Sequence, residues 1–220
     1  MYRELSLDEF RFNTGIRNSH LPAEGTIISL RELARIAKVE VMMSMEEKYL
    51  KQMLRSVVLK GNHRHRLYEA AEIKVEAVPP FAFPVIQTFI QRSKYQDFLE
   101  KFSLVFQGFY SHGFSQQLPV VVIGQDEEGQ TLIAHYLPPI VEECAGVWHL
   151  PDGIHRCFLA GSVGTTIEAI VIKGVTAPPR AKLLQWSDLR CVDEKPPMAE
   201  RSVNNNPDLY RLWENVGIDG

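Results

Sequence analysis

Cysteine is scarce: Cys144, Cys157 and Cys191 are the only three in 220 residues. They are widely spaced and odd in number, which excludes a disulfide framework and the paired spacing of a structural zinc site. A reduced, cytoplasmic setting is the expectation. Long apolar runs are missing too, and none approaches the roughly 20 residues that a membrane-spanning helix needs. The opening MYRELSLDEFRFN is charged throughout and lacks the apolar stretch of a signal peptide. Net charge is only -3 at pH 7, so no bulk positive field draws the chain to nucleic acid, and only local basic patches could do so. Low-complexity tracts are absent. What is present is an ordinary 45% hydrophobic content, enough to build a core.

The chain divides into three parts. Residues 1–70 read as a helical N-terminal extension. SLRE (Ser29 to Glu32) and SMEE (Ser44 to Glu47) fit the capping-box pattern, and the apolar spacing after each predicts helices at about 30–38 and 45–56. VVLKGNHRHR follows as an apolar run, a turn at Gly61-Asn62 and a basic knot, and LYEAAEI allows a short helix. Residues 71–175 have the grammar of an α/β domain. IKVEAV alternates as a strand does and is stopped by Pro79-Pro80. A helix is expected from Pro84 through Ile90, and a second from the stripe Phe98, Phe102, Val105, Phe106 and Phe109. LPVVVIG reads as a buried strand with TLIAHYL as its hairpin partner. PPIVEECAG reads as an inserted loop, VWHL as a strand, IHRCFLAGSVG as a glycine-ended helix and TIEAIVI as a final strand. Residues 176–220 form a proline-rich C-terminal extension packing on the domain, with an edge strand or short helix in KLLQWSDLRCV and a short helix in LYRLWENVGIDG.

The stretch VWHLPDGIHRCFLAG concentrates the chemistry. It turns at Asp152-Gly153 and places His155 and Arg156 where a helix starts. A helix N-terminus carries unpaired N–H groups and a partial positive charge, so the patch suits an anion, phosphate above all. Arg156 offers a planar fork for phosphate oxygens, or pairs with a surface carboxylate. His155 could donate to a phosphate or shuttle a proton. Asp152 could hold magnesium or act as a base, or could cap the helix in an Asx-turn. Gly153 supplies a backbone shape or a close approach that a side chain would block. Thr165 and Thr166 could offer hydroxyls to the ligand or simply begin the last strand.

From Ile73 to about Val175 the order of elements resembles the ParB/sulfiredoxin superfamily, carried by QQLPVVVIGQDEEGQTLIAHYL, VWHLPDGIHRCFLAG and TIEAIVI. The turn is similar to the DGxHR turns of ParB-like kinases and of DndB-type proteins from DNA-modification defence systems. The resemblance implies a mixed α/β (α+β) sheet with flanking helices, and a nucleoside di- or triphosphate held by Gly153, His155 and Arg156. Ile154 stands where sulfiredoxin has its reactive cysteine, so sulfinic acid reduction is not expected. A segment of about 45 residues after the domain is too short for the helix-turn-helix module of the chromosome-segregation proteins.

The expected function is therefore hydrolysis of a nucleoside phosphate or phosphoryl transfer, with Mg2+ as cofactor. Asp152, His155 and a carboxylate such as Glu143 would do the catalytic work, and Glu142 and Glu76 are the other carboxylate candidates. The alternative is a non-catalytic DNA- or partner-binding subunit, or a nuclease. In that reading Arg64 and Arg66, in the basic knot His63 to Arg66, contact nucleic acid.

Overall fold

The computed structural model describes residues 6–14, 22–28, 30–94 and 119–213. It is a mixed α/β structure with several sheets and few helices. The first sheet is built on the hairpin of β7 (Val120–Gln125) and β8 (Thr131–Tyr136). β1 (Thr26–Ile27) adds parallel to β8, and β2 (Lys38–Ser44) adds antiparallel to β7. The turn between β7 and β8 is held by Asp126, whose Oδ1 accepts the N–H groups of Glu128 and Gln130. The second sheet has the order β10-β9-β11-β5, from β5 (Glu72–Val78), β9 (Ile140–Cys144), β10 (Val147–Asp152) and β11 (Ile167–Lys173). β9 and β10 form a hairpin whose two linking residues, Ala145 and Gly146, both have positive φ (50° and 83°). That conformation matches the twist of the paired strands. The chain then passes through helix α3 (Ile154–Ser162) and returns as β11, parallel to β9 on its other side.

Side-chain alternation explains why these strands read as unbroken apolar runs. Val121, Ile123 and Ile133 of the first sheet meet Ile73, Ile140, Ile170 and Ile172 of the second in one core, sealed by Leu50, Met53 and Leu54 of α2 (Glu47–Arg55) and by Phe10 of α1 (Leu7–Thr14). The opposite face of the first sheet, with Val120, Val122, Leu132 and Ala134, packs on Leu33 and Ile36. The opposite face of the second, with Val141, Ala169 and Val171, packs on Ile154, Cys157 and Ala160 of α3. Two-stranded pieces complete the fold: β3 (Val58–Leu59) with β4 (Asn62–Arg66), and β6 (Phe89–Gln91) with β12 (Arg190–Val192).

Several sequence expectations are corrected here. The helix expected at 30–38 is a 3-10 helix over Leu30–Arg35, followed by β2. The segment before residue 70 is thus not simply helical, and β1 and β2 pair across the boundary placed there. Ser44 does not open a capping box, because it is paired to Val120 in the ladder and α2 starts after Glu46. Between Pro84 and Ile90 there is no helix: Val85 bridges Leu150 and Leu184, and β6 follows. LYEAAEI makes a turn at 67–70 and then enters β5. PPIVEECAG is not an inserted loop but contributes β9, the centre of the second sheet. The Phe98–Phe109 stripe and the end of LYRLWENVGIDG lie outside the described residues, and Leu209 closes a 3-10 turn, Pro207–Leu209.

Candidate functional site

The Asp-Gly turn lies where β10 ends and α3 begins. The ladder between β10 and β9 shifts register between His149 and Asp152, a local irregularity that re-aims the end of a strand. Gly153 is the N-cap, with φ 89° and ψ 16°, and its carbonyl accepts the Cys157 N–H at 2.9 Å. A Cβ placed on Gly153 would lie 2.4 Å from Cβ of Pro139. Two costs therefore fall on any side chain here, a left-handed backbone and a collision with the loop before β9. Gly153→Ala is expected to lose about 2–4 kcal/mol of stability, summing left-handed strain and overpacking. Urea denaturation measures this, and an unchanged midpoint would contradict the packing described.

No side chain caps α3. The N–H groups of Ile154, His155 and Arg156, which no helix can satisfy internally, have no side-chain acceptor among the described residues. Nearby charge is positive. Burial, followed by Lys94, Arg156 and Lys195, lowers the His155 pKa to about 4. His155 is therefore neutral at physiological pH, and its Nε2 accepts the Gln91 N–H at 3.0 Å. That bond leaves Nε2 no free lone pair for proton transfer.

Arg156 does not sit where the sequence suggested. It is buried at 6% exposure, and its Nη2 bonds Asp152 Oδ2 at 2.6 Å. Its Nη1 donates to the Leu137 carbonyl, and its Cζ lies 5.4 Å from the Tyr136 ring centre. A buried guanidinium must be paired to be tolerated, and Asp152 one helical turn earlier is the partner. The pair clasps the turn to the end of β8, so Arg156 positions the site and does not present its fork to a ligand. Asp152 shares in that pair through its Oδ2. Cys157 is buried, and burial pushes its thiol up to about 12, so it is chemically inert.

Six further candidates are separated from the turn. Thr165 and Thr166 lie beyond the C-terminal end of α3, about 13 Å along the axis from its start at 1.5 Å per residue, away from the Asp-Gly turn. Glu143 sits at the far end of the β9–β10 hairpin, where its carboxylate accepts the N–H groups of Gly174 and Gly146. Those two bonds lower its pKa and make it a poor base. Glu76 is on β5, paired with Ala169 across β11. Arg64 and Arg66 are exposed on β4, remote in sequence and in sheet from the turn.

A second constellation had no motif to announce it. Glu142 is completely buried on the inner face of β9, next to Ile140. Arg211 Nη2 meets its Oε2 at 2.7 Å and Arg211 Nε its Oε1 at 3.2 Å, while the Tyr68 hydroxyl donates to Oε1 at 2.5 Å. Trp213 Nε1 donates to Tyr68 Oη at 3.2 Å. His149 Nε2 lies 3.4 Å from Oε2 but off the hydrogen-bonding line, and both its ring nitrogens are unpartnered. The remaining Arg211 donors reach the carbonyls of Leu209, Ala177 and Pro178. This cluster lashes the C-terminal segment to the second sheet; with every member buried, it is a structural tie. An arginine flanked by Leu209, Tyr210, Leu212 and Trp213 was its one sequence signal.

No protein-family model matches the chain, and neither a curated protein nor a solved structure was found to be similar to it.

Proposed function

We propose that this chain is a ParB/sulfiredoxin-like protein that binds a nucleoside di- or triphosphate at the N-terminus of α3, through the backbone and not through Arg156. The observation that carries this reading is the uncapped first turn of α3 beside Lys94 and Lys195. Unpaired backbone N–H groups at the positive end of a helix dipole are the usual seat of a phosphate. The succession of β9, a tight turn, β10, Asp-Gly, α3 and a β11 parallel to β9 supports the resemblance.

The same geometry favours binding over turnover. Phosphoryl transfer requires a base or metal placed against the phosphate. Asp152 is held by Arg156, His155 is neutral with its Nε2 engaged, and Glu143 is at the other end of the hairpin. No group of three or more His, Cys, Asp or Glu able to hold a metal occurs among the described residues. With Asp152 Oδ2 held by Arg156 and no second carboxylate shown at the turn, these residues do not offer a protein-held Mg2+ a ligand set.

A thermal-shift screen of nucleoside mono-, di- and triphosphates tests the reading. A ligand at 100 times its Kd adds about 2.7 kcal/mol of stability, a rise of several degrees in Tm. One nucleotide is expected to give that rise without added magnesium and without releasing phosphate, and Lys94→Glu with Lys195→Glu is expected to abolish it. A full shift in the double variant would overturn the placement of the site.

A further inference from the structure

We propose that the β3–β4 hairpin is a contact surface for the phosphodiester backbone of a nucleic acid, with Arg64 and Arg66 as its phosphate-holding side chains. This goes beyond the nucleotide site and does not depend on it. The hairpin VLKGNHRHR carries Lys60, Arg64, Arg66 and two histidines in nine residues of a chain whose net charge is -3. The β3–β4 ladder shifts register between its two pairs, Val58 with Arg66 and Leu59 with Asn62, and along β4 Arg64 and Arg66 are exposed on either side of a half-buried His65, roughly 6.6 Å apart along the strand. Both are exposed. Arg66 reaches Glu69 only at 3.9 Å, and Arg64 has no ion pair among the described residues.

Residues 62–66 bury little, yet the hairpin is held from several sides. Asn62 Oδ1 accepts the Arg64 N–H at 3.1 Å. The N–H groups of Lys60 and Gly61 donate to the carbonyls of Tyr210 and Asp208, each at 2.9 Å. Gly61 is so close to this segment that a Cβ would lie 2.4 Å from Cβ of Asp208. The Thr176 hydroxyl donates to the Leu67 carbonyl and stands 2.6 Å from His65 Nε2, which is therefore the donor of that pair. A basic ribbon fixed in this way loses little freedom on binding. Two guanidinium forks in register on a rigid strand suit the repeated phosphates of a polymer, which accept bidentate bonds. Glu69 and Asp208 beside the hairpin limit the affinity, and contacts made to phosphates alone are indifferent to base sequence.

The experiment is fluorescence anisotropy of the full chain with a labelled 20-base-pair DNA duplex and with a single strand of equal length, between 50 and 200 mM NaCl. Two phosphate contacts give a slope of log K against log salt of about -1.8 on the duplex and about -1.4 on the single strand. Each slope counts the phosphates engaged on its own form, the affinities at equal salt show which form is preferred, and binding to either supports the proposal. Arg64→Ala with Arg66→Ala is expected to remove that slope with an unchanged Tm, whereas Arg64→Lys with Arg66→Lys keeps it. Should the double alanine variant melt early, Arg64→Gln and Arg66→Gln singly replace it, each expected to flatten the slope by about 0.9 on the duplex. Absence of binding at 50 mM salt, an unaltered slope in the alanine variant, or equal competition by polyglutamate would overturn the proposal.

Discussion

Glu142→Ala is expected to lower the stability of the folded chain by about 3–5 kcal/mol, because it leaves a buried charge without its partner. Arg211 is only 5% exposed, and two of its nitrogens rest on the Glu142 carboxylate. Without that carboxylate the guanidinium keeps its charge in an apolar core, and the Tyr68 hydroxyl loses its acceptor. Arg211→Ala is expected to cost a similar amount for the mirror-image reason. Replacing both, as Glu142→Leu with Arg211→Met, removes the two charges together and is expected to recover most of the loss. The urea midpoints of the four proteins decide this. Near-additive losses, with the double variant worse than either single one, would show that the two residues are not a pair. A loss under about 1 kcal/mol for Glu142→Ala would show that the charge is not buried as described.

The second large effect is acid sensitivity through three histidines. Burial lowers His135, His149 and His155 each to about 4, against an ordinary value near 6.5. His135 and His149 have no hydrogen-bond partner on either ring nitrogen, and His135 stacks obliquely on Phe10 at 5.7 Å between ring centres. Between pH 6.5 and 4 the unfolded chain therefore binds protons that the folded chain refuses. Stability is full above pH 6.5 and falls as pH drops toward 4. Each histidine is expected to remove roughly 2 kcal/mol by pH 5, and three together are comparable with the whole stability of a small domain. Urea titrations at pH 7, 6 and 5 should show this decline, and His135→Phe should remove about a third of it. Stability that is level from pH 7 to pH 5 would contradict the burial of these rings.

What the sequence disclosed follows from how local each signal was. LPVVVIG and TLIAHYL were legible as a hairpin because both faces of that sheet are buried, which leaves long apolar runs around a polar turn. Gly153 was legible because Asp-Gly ahead of a helical stretch is a local turn signal, although the close approach of Pro139 was not. β9 was misread because Glu142 and Glu143 look like loop residues, although one is paired in the core and the other holds two backbone amides. β2 was misread because KVEVMMS sits on an edge, where it is half exposed and its pattern is weak. The role of Arg156 could not be seen, since Leu137 and Tyr136 reach it only through the fold. The Glu142 cluster joins residues 68, 142, 149, 211 and 213, a spacing that no short motif can encode.

The most direct check on the proposed phosphate site is to titrate ADP into the 15N-labelled protein and follow its backbone amide resonances. The N–H signals of Ile154, His155 and Arg156 should move farthest and saturate together, because those groups would donate to the phosphate. If they stay in place while the nucleotide binds elsewhere, or does not bind at all, the first turn of α3 is not an anion site.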